Sequence, residues 1–151
     1  VLGDDLSDEK ARVHVEGLLQ GSEEGCLNIK VTKLDRLFSK LVRSLAGWKC
    51  ERCGKQYHEG SRGLHNSHYL GRRAMITRFD LENCDSLCHG CHSYFHQYGL
   101  KYVQWKIEKL GEERHRQLEY RFDNVYQKKT KAFMEETRQG IEEMLDAVER
   151  I

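Results

Sequence analysis

The chain has 151 residues, 38% hydrophobic and 32% charged, a balance that suits one domain with a modest core and an appendage. The formal net charge is only +1, so total charge does not announce a polyanionic partner, and no apolar run reaches the length of a membrane span. No signal-peptide pattern is legible, and four of the six cysteines fall into two C-x-x-C pairs, which favours zinc in a reducing compartment over disulfides.

Residues 1–31 are weakly patterned. Val13, Val15, Leu18 and Leu19 could form a short apolar element, interrupted by Gly17, Gly21 and Gly25. Residues 32–46 predict a helix: Thr32 is a good N-cap with Asp35 three residues on, and Leu34, Leu37, Phe38, Leu41, Val42 and Leu45 recur at helical spacing. Gly47 is its natural stop. Residues 48–92 carry short apolar stretches broken by Gly, a pattern for small hairpins ending in a helix that starts near Cys88. Residues 100–151 read as helical with one break at Gly111. An apolar stripe runs on through Leu118, Phe122, Val125, Tyr126, Phe133, Ile141, Leu145 and Val148. That stripe suits packing on the chain's own core or pairing with a second subunit. The expected division is a weakly patterned segment 1–31, a zinc-bound core 32–99 and a helical extension 100–151.

Cys50-x-x-Cys53 lies in WKCERCGK and Cys88-x-x-Cys91 in LCHGCH. Two tight turns bearing two thiolates each suit a closed, tetrahedral, structural Zn²⁺. A core this small gains from such a staple. Cys26 and Cys84 read as small buried hydrophobes. Trp48 and Trp105 read as core.

His68, Asn83 and His92 follow one another in LHNSHY, ENCDSLC and GCHSYFH. That order of residues resembles the HNH (His-Asn-His) nucleases, and the resemblance implies phosphodiester hydrolysis, which needs an activated water and a cation to neutralise the phosphate. His68, expected at the end of a first strand, would be the general base. Asn83 would hydrogen-bond across the hairpin to fix the loop that holds it. His92 and His96 lie at i and i+4, so both rings could face one ion. His14, His58, His89 and His115 read as exposed or locally hydrogen-bonded. Between residues 47 and 78 there are seven basic and two acidic side chains. Arg72, Arg73 and Arg78 follow His68 and read as phosphate contacts; Tyr69 could pack under the site or stack on a base.

The stretch from about 48 to 96 resembles the HNH (His-Asn-His, ββα-metal) nuclease family. The resemblance implies an α+β fold with a zinc-stapled, treble-clef-like core, and one catalytic divalent cation (Mg²⁺, Mn²⁺ or Zn²⁺). Many such enzymes carry Asp or His before the general base, as a metal ligand. Here that position is Ser67, so His65, water or a backbone carbonyl would complete the sphere. The stretch SHYLGRR…TRFDLENCDSLCHGCH, followed by YVQWKIEKLGEE, is similar to the NinG/Rap group of phage recombination proteins. That likeness implies a structure-specific endonuclease on branched DNA such as Holliday junctions or D-loops, a homodimer for paired cuts, and a cytoplasmic setting in a bacterial host. Two other readings stand beside it: an HNH nicking or double-strand endonuclease on ordinary duplex, and a non-catalytic zinc-stapled DNA-binding module.

Overall fold

The computed structural model describes residues 29–151. The element expected near residues 13–19, with His14 and Cys26, lies outside the described residues. The first helix, α1, runs Lys33–Leu45. The Asp35 amide donates to the Thr32 hydroxyl (3.2 Å) and the Thr32 amide donates to the Asp35 carboxylate (2.7 Å), a reciprocal cap on two orphan donors. Gly47 (φ 62°) and Trp48 (φ 57°) then turn the chain through left-handed backbone. Trp48 is a costly residue there. Its amide bonds to the Arg43 carbonyl (2.9 Å), and the Arg43 guanidinium lies 5.0 Å over its ring, which holds the turn.

Two strands follow, β1 Leu64–His68 and β2 Cys84–Cys88, paired antiparallel with Leu64 opposite Cys88 and His68 opposite Cys84. The connection between them holds a single helical turn, α2 (Met75–Arg78), and a 3₁₀ turn over Leu81–Asn83. Beyond β2 come α3 (His89–Gln97), α4 (Gly99–Leu110), α5 (Glu112–Asn124) and α6 (Lys131–Glu149). The C-terminal stretch is therefore broken twice, at Gly111 (φ 82°) and again at residues 125–130. Val125 and Tyr126, expected on the apolar stripe, are exposed in that second break. The chain leaves α5 there to reach α1.

Strand alternation gives the hairpin two different faces. Cys84 packs with Leu34, Phe38, Leu41 and Val42 of α1 and with Ile141 and Leu145 of α6. On the opposite face His65 and Ser67, with Asp85 and Leu87 across from them, meet α3 and α4. Leu64, Leu87, Phe95 and Tyr102 form a second cluster around the cysteines, and Leu70, Leu118 and Phe122 a third under α5. Helix α6 lies alongside α1 in the same direction, with Lys40, past the middle of α1, bonded to Glu149 at the end of α6 (2.7 Å). Its buried residues, Ile141 and Leu145, are covered within the chain. No helix among the described residues is long and apolar enough to cross a membrane.

One buried ion cluster joins these parts. Asp85, 0% exposed, accepts from Tyr102 (2.7 Å), Lys106 (2.8 Å) and Lys109 (2.6 Å). Lys109 also bonds Glu51 (2.7 Å), whose other oxygen accepts the Ser86 amide (2.7 Å). Burial pulls the Lys106 ammonium below the ordinary lysine value, against the opposing pull of Asp85. The cysteine loop, the hairpin and α4 are thereby pinned to one another.

Candidate metal centre and histidine pair

The loop after Trp48 is built to present two thiols. The Gly54 amide donates to the Cys50 carbonyl (2.8 Å) and the Cys50 amide to the Lys55 carbonyl (2.9 Å). Gly54 sits at φ 75°, a backbone state that glycine adopts cheaply. The second pair stands at the start of α3. Cys88 is its N-cap, and its sulfur accepts the Cys91 amide at 3.4 Å. Ligand atoms of Cys50, Cys53, Cys88 and Cys91 all lie within 4.8 Å of one another, and the Cys53 and Cys88 sulfurs are 3.9 Å apart. A tetrahedral zinc with bonds near 2.3 Å spaces its sulfurs by about 3.8 Å, so the cage fits that ion. Burial pushes the Cys88 and Cys91 thiols up; the Cys91 amide and the neighbouring thiols draw Cys88 down to about 7, while Cys91 stays raised, at about 12, so a bound cation would have to draw off its proton. Arg52 adds a donor to the Cys91 sulfur (3.4 Å) while stacking 3.9 Å over Tyr94. Donor chemistry, spacing and local positive charge all suit a structural zinc held as thiolates.

The histidines assemble in part as expected. His65, one of the groups expected to complete the ion's sphere, is the neighbour of His92, while His68 is bonded elsewhere. The Nδ1 atoms of His65 and His92 are 3.3 Å apart and their rings 5.5 Å, with the His89 ring 5.7 Å from His65. Burial, then the charges of His65, His96 and His89, hold His92 below the usual histidine value. His96 is exposed one turn along. Among the described residues only the cysteines form a convergent set of three or more ligands.

His68 instead places Nε2 3.0 Å from the Arg78 carbonyl. A carbonyl only accepts, so Nε2 carries the hydrogen and Nδ1 of the neutral ring keeps its lone pair. Burial lowers the His68 pKa to about 4. Alternation puts His65 and His68 on opposite faces of the hairpin; reading the sequence without the pairing register could not assign those faces.

Asn83 is fully buried in the connection. Its Oδ1 accepts the Leu70 amide (2.7 Å), and its Nδ2 donates to the carbonyls of Leu70 (2.9 Å) and Thr77 (3.0 Å). Ser67 is bonded to the Tyr102 hydroxyl (3.1 Å). Two expected DNA contacts are not surface groups. Arg78 is 6% exposed and forks onto Asp35 at 2.9 and 2.7 Å, with a third bond to the Lys30 carbonyl. Tyr69 packs edge-on against Tyr102 and bonds His115 (2.9 Å), and burial raises its pKa. Arg73 remains exposed, stacked 4.2 Å over Phe122, and Arg72 is half-buried beside it. The Asp85 cluster went unread in the sequence; the one signal was Tyr102, Lys106 and Lys109 on a single face of α4.

A two-stranded sheet packed on helices, with four convergent thiols that could hold a metal ion, defines a small α+β protein with a candidate metal centre. The chain belongs to the bacteriophage lambda NinG protein family, whose model matches residues 28–150. No curated protein and no solved structure gives a match.

Proposed function

We propose that the chain is a metal-dependent DNA endonuclease of the HNH class, acting on branched DNA during phage recombination. The observation that carries this reading is the 3.3 Å approach of His65 and His92 at the junction of β1 and α3, beside the thiol cage. Two imidazoles on one tetrahedral ion at about 2.0–2.1 Å stand about 3.4 Å apart, so the pair is spaced as two ligands. When bound, a divalent cation there would neutralise the scissile phosphate and the departing oxygen. His65 and His92 hold the site; His96 and His89 flank it. His68 takes the proton of the attacking water on Nδ1, with Arg78 fixing its tautomer and Asn83 fixing the loop. In-line attack sets base and leaving group on opposite sides of phosphorus, and His68 and His65 stand on opposite faces of β1. Arg72 and Arg73 hold the flanking backbone. Two copies would provide the paired cuts of a symmetric junction, through a surface other than the buried stripe of α6.

The test is nicking of supercoiled plasmid with Mg²⁺, Mn²⁺ or Zn²⁺, and cleavage of a four-way junction against linear duplex. Wild type is expected to cut, and His65→Ala and His92→Ala to lose both cutting and binding of the second ion. His68→Ala should bind that ion and lose cutting by about 100-fold or more. Absence of wild-type cleavage with every ion would leave a zinc-stapled DNA-binding module. Equal cutting of junction and duplex would remove the branched substrate.

A further inference from the structure

Helices α1 and α6 leave a groove of about 840 Å³ between the ends at which both begin. Its floor is apolar, from Leu34, Leu37 and Met134, and its rim is basic, from Lys33, Lys129 and Lys131. The acidic side chains of the groove, Glu135 and Glu142, are both engaged by Arg138. None of the three rim lysines is in an ion pair among the described residues. Lys30 and Lys128 are exposed beside them in sequence, and both helices direct their positive ends the same way. The connection that supplies Lys129 also carries Tyr126, an aromatic ring 87% exposed. An apolar slot with cationic edges, next to a connection that carries an exposed aromatic, fits an unstacked base with its phosphates. A duplex keeps its bases stacked inside and could offer only phosphates to the lysines.

From this juxtaposition we infer that the α1–α6 groove and the Tyr126–Lys131 connection form a binding site for single-stranded DNA, remote from the histidine pair. The inference rests on the reading that DNA is the partner. It adds that the substrate exposes unpaired nucleotides, which lie along the rim lysines and stack on Tyr126. Such a site would favour a branch point over continuous duplex without any contact to sequence.

The experiment is fluorescence anisotropy of the zinc-loaded chain with a labelled single strand of about 20 nucleotides and with the matching duplex, without added divalent cation. Tyr126→Ala and the double substitution Lys129→Glu/Lys131→Glu alter exposed residues, and circular dichroism checks that they fold. Each is expected to weaken single-strand binding about fivefold or more, and Tyr126→Ala to change duplex binding by less than about twofold. Unchanged single-strand affinity in both variants, equal losses on the two DNAs for Tyr126→Ala, or no single-strand binding by wild type would overturn the site. Plasmid nicking reads the nuclease proposal separately: a chain that binds single strands but never cuts sinks the catalytic reading and leaves this one standing.

Discussion

His68 illustrates how much one side chain's meaning depends on register. Its depressed pKa means that the unfolded chain, with a pKa near 6.5, takes up a proton more readily than the folded one. Stability is then complete above about 6.5 and falls as pH drops toward 4, by up to about 3 kcal/mol. Urea midpoints at about pH 7 and about pH 4.5 should show the drop in wild type and a clearly smaller one in His68→Gln. His92, also depressed by burial, contributes in the same direction. An identical slope in the variant would show that burial of His68 does not govern that window. The sequence singled out both histidines, and His65 with them, because each stands in a short motif. Their odd spacing puts His65 and His68 on opposite faces once both lie in one strand; which of the two meets His92 is not legible until the pairing of Leu64 with Cys88 is known.

At the scale of elements, α1 was readable in full, since its cap, stripe and stop are all local signals. Arg78 was misread for the opposite reason. A basic residue in a basic stretch looks like a phosphate contact, and its partner Asp35 lies 43 positions away. Burial pushes the Asp35 carboxyl up, but Arg78 and Thr32 outweigh it and hold it at about 2. Arg78 thus fastens the connection between the strands to the start of α1. Arg78→Ala leaves a buried carboxylate without its cation, and should cost about 3–5 kcal/mol in urea denaturation. If Arg78 were a DNA contact instead, the variant would keep wild-type stability and lose one phosphate from the salt dependence of binding. The Asp85 cluster escaped notice in the same way, because Lys106 looks like any other helical lysine until a carboxylate 21 positions earlier is placed against it.

At the scale of the whole molecule, the four thiols join the turn after α1 to the beginning of α3, so a bound metal would fasten the second apolar cluster, to which Cys50, Cys88 and Cys91 belong. Spacing alone made this centre legible, because C-x-x-C fixes its own local geometry. Chelation, or Cys50→Ser, is expected to lower the thermal midpoint by at least about 10 °C and to expose the aromatic cluster around Tyr102, read by circular dichroism and Trp fluorescence. A melt unchanged in protein shown by elemental analysis to be metal-free would contradict it. Less legible was the destination of α6. Its stripe allowed a partner subunit or the chain's own core, and only the second break, at residues 125–130, turns it back onto α1.

The pairing of α1 with α6 also sets an order of events during synthesis. Lys40 and Glu149 are separated by 109 positions, so a ribosome moving at about 5–20 residues per second makes the lid of α1 roughly 5–20 seconds after α1 itself. Throughout that interval Phe38 and Leu41 have no cover from Ile141 and Leu145, even with the cysteine cage already complete. That window closes only when α6 emerges and covers the apolar face of α1.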